Sequence, residues 1–63
     1  MELTITQRIL ISMATRSLDK QMPVWNKVQI REAVEEIATA HGITLTTEEY
    51  KRIVAEIAKR FGV

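Results

Sequence analysis

Apolar residues recur along this chain in three stripes at helical spacing, each introduced by a residue suited to cap a helix. In the last third, Tyr50, Ile53, Val54, Ile57, Ala58 and Phe61 fall three or four apart, the repeat that lines one helix face. Glu48, Lys51, Arg52, Glu56 and Lys59 take the opposite side. Thr46 precedes the stripe and Glu49 follows it by three, so each side chain can satisfy the other's backbone amide in a capping box. Leu45 and Tyr50 stand where a hydrophobic staple forms. Glu48 with Arg52, and Glu56 with Arg60, are four apart with the acid first, the favourable order. Gly62 supplies a stop. The pattern predicts a helix over 47–61.

The middle third repeats this grammar. Asn26 can cap, Gln29 sits three later, and Trp25 and Ile30 occupy the staple positions. Ile30, Ala33, Val34, Ile37 and His41 make one stripe, with Ala38 and Ala40 at its edges, and Gly42 ends it. A helix over 27–41 is expected, with Pro23 upstream where a chain turns into a helix. The connection from Asp19 to Asn26, through Met22-Pro23-Val24-Trp25, reads as a loop. The first third is less well punctuated. Thr4 or Thr6 could cap a helix near 6–18, and Thr4 has Gln7 at capping-box distance. Ile9, Leu10, Ile11, Met13, Ala14 and Leu18 cover a wide arc, leaving only Arg8, Ser12, Thr15 and Asp19 clearly polar. A helix on a two-helix platform needs an apolar stripe of roughly 100°. This one therefore either sits deep between the other two or faces another chain.

The expected fold is a single all-α, three-helix domain over 1–63, either up-and-down or with a helix-turn-helix-like second half. Leu3-Thr4-Ile5-Thr6 and Ile43-Thr44-Leu45-Thr46 share an alternating, β-branched pattern and could pair as a minimal two-stranded ribbon (3–6 with 43–46). A bare pair of strands is marginal in water, and the other reading is two extended lead-ins to capped helices.

Composition changes the picture in one respect. A chain this short buries only about 60% of its unfolded surface, and such domains often lean on a disulfide, a metal or a partner. There is no cysteine and a single histidine, so association with another chain is the support left open. The net charge of +1 gives no strong field to choose a partner. No run approaches the roughly 20 apolar residues of a membrane span. The start, Met1-Glu2-Leu3-Thr4, has neither the basic region nor the apolar run of a secretory signal. A cytoplasmic location is expected.

Catalytic chemistry finds no foothold. Glu32, Glu35, Glu36, Glu48, Glu49 and Glu56 lie on polar helix faces among lysines and arginines, where a solvated carboxylate has no reason to shift its pKa. His41 falls on the apolar stripe in the last helical turn, where it can serve the free carbonyls of the helix end. Gly42 and Gly62 both read as helix stops rather than parts of a phosphate loop. The expectation is a protein that is not an enzyme, with no metal, no cofactor and no small-molecule substrate.

Two functional readings remain. Residues 27–61, helix, short turn and helix, resemble the helix-turn-helix of DNA-binding domains. That resemblance implies duplex DNA as partner, with helix 47–61 in the major groove and Lys51, Arg52 and Lys59 in contact. Glu48 and Glu49 oppose it by bringing acids to the entry point, where phosphates would lie. The favoured reading is a regulatory or interaction protein that docks on a protein partner, itself as a homodimer first of all. Its expected contacts are Ile11, Val24, Trp25 and Val28, apolar residues out of phase with the core stripes.

Overall fold

Each helix begins where a side chain closes a capping box, and the three boxes set the element order α1 (Ile5–Lys20), α2 (Lys27–Ala40) and α3 (Thr47–Phe61). The computed structural model describes residues 3–21 and 23–63. Met1, Glu2 and Met22, which entered the readings of the chain start and of the first connection, lie outside the described residues. At α1 the Gln7 amide donates to Thr4 Oγ1 at 3.1 Å and the Thr4 amide donates to Gln7 Oε1 at 3.0 Å. At α3 the Glu49 amide donates to Thr46 Oγ1 at 3.2 Å, and Thr46 returns the bond to Glu49 Oε1 at 3.1 Å. Asn26 and Gln29 make the same exchange at α2, both at 3.3 Å.

Choosing Thr4 over Thr6 as the cap decides the ribbon. It commits Ile5 and Thr6 to the first turn of α1, and there is no strand among the described residues. Residues 43–46 are the other thing they could have been, a lead-in to α3, ending in extended backbone at Thr46 (φ −76°, ψ 163°).

Both later helices stop at a glycine in the left-handed region, Gly42 (φ 66°) and Gly62 (φ 68°). At each, the residue after the glycine donates five residues back, Ile43 to the Ala38 carbonyl at 2.8 Å and Val63 to the Ala58 carbonyl at 3.1 Å. This is the Schellman arrangement, which satisfies carbonyls that the helix end leaves free. It also corrects the placement of His41. The helix ends at Ala40, His41 becomes the exposed C-cap, and Ala38 takes the buried position that His41 was expected to extend.

Every helix packs on both others. Leu10, Leu18, Ile30, Val34, Ile53 and Ile57 are fully buried, and Ala14, Ala33, Ala38 and Ala58 fill the gaps between them. Burying an aliphatic side chain of this size contributes about 1.5–3 kcal/mol. Leu45 and Tyr50 pack against this core, as a staple would. The wide face of α1 is consumed by its position between α2 and α3, and so Ile11, expected at the surface, is only 8% exposed. What α1 leaves in water is a different pair one turn apart, Ile5 (78% exposed) and Ile9 (51%).

A 16-residue helix is about 24 Å long, and the molecule measures 27 × 26 × 17 Å. Three rods laid along one axis give one long dimension. Two long dimensions mean that the three helices do not all lie along one axis. The radius of gyration, 10.6 Å, is that of a fully compact chain of this length. The apolar side chains left outside are therefore not a symptom of loose packing.

Candidate protein interface

The start of α2 leaves two large apolar residues, Trp25 and Val28, in water. Asn26 Oδ1 accepts from the Val28 amide at 3.0 Å and from Gln29, which fixes Val28 as the second residue of the helix. Ile30 and Val34 take the core-facing side, so helical phase turns Val28 outward and leaves it 61% exposed. Trp25 is 74% exposed. The staple expected between Trp25 and Ile30 is not made: Ile30 is fully buried while Trp25 stays in water, although the Trp25 amide joins the cap and donates to Gln29 Oε1 alongside Asn26. Val24 is half-buried and packs against the core, and Ile11 is 8% exposed. Of the four residues expected at an interface, Trp25 and Val28 are available.

Val28 is also part of a site that no linear pattern announced. It joins Tyr50 and Val54 of α3 in the apolar floor of an open groove of about 270 Å³ between the two helices, rimmed by Lys27, Arg31 and Lys51. Three cations and no carboxylate line it, in a chain whose acids and bases are otherwise nearly equal in number. Farther along α2, a shallow depression is lined by Glu32, Glu35, Glu36, Thr39 and Ala40, with no cation. The exposed side of α2 is thus basic at its start and acidic towards its end.

That order runs against the helix itself. A helix N-terminus carries partial positive charge and its C-terminus partial negative charge, so acids belong first and bases last, at about 0.3–1 kcal/mol per charge. In α3 the rule is obeyed: Glu48 and Glu49 open it, Lys59 and Arg60 close it. In α2 the first turn has no acid and the last turn no base. Local ion pairing compensates little. Arg31 meets Glu35 at 3.2 Å with both side chains about half in water, a geometry worth a few tenths of a kcal/mol.

The three cations expected at DNA all belong to α3. Lys51 borders the groove. Arg52, half-buried, and Lys59 lie seven residues apart and so share one side of α3, roughly 100° round from Lys51. Lys59 pairs with Glu56 at 3.4 Å, the partner expected for Arg60. Glu49 also makes a contact between distant parts of the chain: Gln7 Nε2 donates to Glu49 Oε2 at 3.3 Å. The capping boxes of α1 and α3 are thereby joined side by side. The hydrogen bonds from the Thr46 amide and hydroxyl, with that from Gln7, hold the Glu49 carboxyl below its ordinary value of 4.5 against a small opposing effect of burial.

Ile11 forms part of a second depression, between α1 and α3, where Arg8, Arg16 and Arg60 mix with Asp19 and Glu56. Among the described residues, no cluster of three or more His, Cys, Asp or Glu side chains could hold a metal ion, and no helix is long and apolar enough to cross a membrane. Comparison of the chain with models of known families, with curated proteins and with solved structures gives no match.

Proposed function

We propose that this chain is a small, non-enzymatic interaction or regulatory protein that works by docking a protein surface into the groove between α2 and α3. The observation that supports this most is Val28, held outward by the Asn26 cap and shared with Tyr50 and Val54 in an apolar floor ringed by cations. An exposed apolar floor with a polar rim is the anatomy of a protein contact, and Trp25, one helical turn away, is the residue type most enriched at binding hot spots.

Selection of peptides from a displayed random library on the immobilised chain tests the reading. Selected peptides should bind the wild type and lose binding to a folded Val28→Asp variant. Peptides that bind both equally would place the contact elsewhere and refute it.

One observation favours duplex DNA as a second reading. Lys27, Arg31 and Lys51 stand together on the opening turns of α2 and α3, where a helix-turn-helix meets phosphates. Exposed Glu48 on the same opening turn of α3 works against it. Titration of duplex DNA at low and raised salt separates the two. Tight binding that weakens steeply with salt belongs to the DNA reader, and no binding at low salt eliminates it.

A further inference from the structure

The lining of the groove between α2 and α3 specifies the chemistry of what fits it. We infer that it takes an acidic segment of a partner protein, which seats a large apolar side chain on Val28, Tyr50 and Val54 and sets carboxylates against Lys27 and Lys51. The inference rests on the docking reading above and names the partner's chemistry.

The rim calls for carboxylates. Lys27, Arg31 and Lys51 border the groove and no acid lines it. Among the described residues, neither lysine has an ion-pair partner. Arg31 counts for less, because Glu35 of the same helix lies 3.2 Å from it. That pair uses Nε, and the terminal nitrogens of the guanidinium are further donors. The groove therefore offers two uncompensated positive charges and a third donor group.

The start of α2 adds to this. Both helices bring their opening turns to the groove, Lys27 and Val28 from α2 and Thr47 and Tyr50 from α3. Helix α3 answers the positive end of its own dipole with Glu48 and Glu49, neither of which lines the groove, whereas α2 has no acid in its first turn. A carboxylate brought beside Lys27 supplies from outside the charge that α2 lacks.

The floor excludes a bare anion. Val28 and Val54 give a phosphate nothing to bond, and a ligand that offers charge alone leaves them in water. An apolar side chain covers them and thins the water around the ion pairs at the rim, which strengthens those pairs. The volume, about 270 Å³, lies just under the roughly 300–1,000 Å³ of small-molecule sites. An open groove of that size suits a side chain presented by a polypeptide. Two uncompensated lysines neutralise too few phosphates for a nucleic-acid site.

Peptides selected from a displayed random library test the assignment. Those that depend on Val28 should carry several Asp or Glu residues around a Leu, Ile, Phe, Tyr or Trp. Changing that apolar residue to Ala should abolish their binding, and raised salt should weaken it. Lys27→Glu with Lys51→Glu reverses the rim at two exposed positions and gives α2 its missing first-turn acid, so it should melt close to the wild type by circular dichroism. It should bind the selected peptides at least about tenfold more weakly. Lys27→Gln with Lys51→Gln should lose less, in the same direction, and carries the test if reversal lowers the melting temperature. Selection repeated on the reversed chain should return apolar residues flanked by Lys or Arg. If Val28-dependent peptides are neutral or basic, or bind the lysine variants as well as the wild type, the acidic partner falls and docking stands. Acidic peptides that bind without an apolar residue overturn it too. If no selected peptide depends on Val28, both readings fall. A duplex oligonucleotide that displaces a selected peptide at about 0.15 M salt gives the groove to nucleic acid and overturns the inference. A chain whose mass rises above 7.2 kDa and returns to it when the peptide is added gives the groove to a second copy and does the same.

Discussion

Val28→Asp asks whether Val28 belongs to the surface or to the fold. With 61% of the residue already in water, only about two-fifths of the usual 1.5–3 kcal/mol for a buried aliphatic is at stake, or roughly 0.6–1.2 kcal/mol. Against that loss, an acid at the second position of a helix whose first turn has none recovers about 0.3–1 kcal/mol from the dipole. The new carboxylate would also lie among Lys27, Arg31 and Lys51. The two effects nearly cancel. A net change within about 1 kcal/mol moves the melting temperature of a domain this small by no more than about 4–8 °C. Ile30→Ala, two residues along, is the control. Ile30 is fully buried, its truncation costs about 2–5 kcal/mol, and a core of this size supplies only about 3–5 kcal/mol in all. Melting curves by circular dichroism should therefore show a cooperative, near-native transition for Val28→Asp and a largely lost one for Ile30→Ala. If Val28→Asp melts like Ile30→Ala, Val28 is a core residue and the groove is not a free surface.

Other outcomes follow from the caps and the core. Because hydrogen bonds hold the Glu49 carboxyl below its ordinary 4.5, it binds a proton less readily in the folded chain than in the unfolded one. Its contribution is fully present above that ordinary value and is lost as pH falls through the lower, folded one. Glu49→Gln keeps an acceptor for the Thr46 amide, so the stability difference between wild type and variant should shrink on acidification from about pH 5.5 to about pH 3; a constant difference in urea melts over that range contradicts the assignment. Thr46→Ala removes one side of the α3 box and should cost about 0.5–2 kcal/mol in the same assay. Gly62→Ala meets open space, so its cost should reflect only the left-handed backbone, about 1 kcal/mol, and no measurable cost would show that the helix end refolds differently. Lys51→Ala with Arg52→Ala should leave peptide binding in the groove weakened by Lys51 alone, whereas a DNA reader would lose affinity for every duplex.

The helices were legible because their signals are local. A capping box needs a residue and its third neighbour, so Thr4 with Gln7, Asn26 with Gln29 and Thr46 with Glu49 are readable without knowing the fold. The core stripes of α2 and α3 were readable for the same reason. Errors arose where one residue had two possible uses. The Trp25 backbone joined the cap and its ring was left out of the staple; Ile11 lies at the edge of its stripe, and only the depth at which α1 sits decides that it is buried. The Gln7–Glu49 contact joins residues 42 apart, and the groove depends on how α2 crosses α3. Neither has a periodicity to reveal it. The reversed charge order on α2 was visible in the residues all along. Its meaning emerged only beside α3, where the same chain places its charges the other way.

Trp25 is the only tryptophan, and at 74% exposed it reports directly on whether the start of α2 becomes covered. Its fluorescence should shift to shorter wavelength, saturably, as a peptide selected on the groove is added to the wild-type chain, and should stay fixed in folded Val28→Asp. An emission maximum that never moves while such a peptide binds would contradict docking at the start of α2.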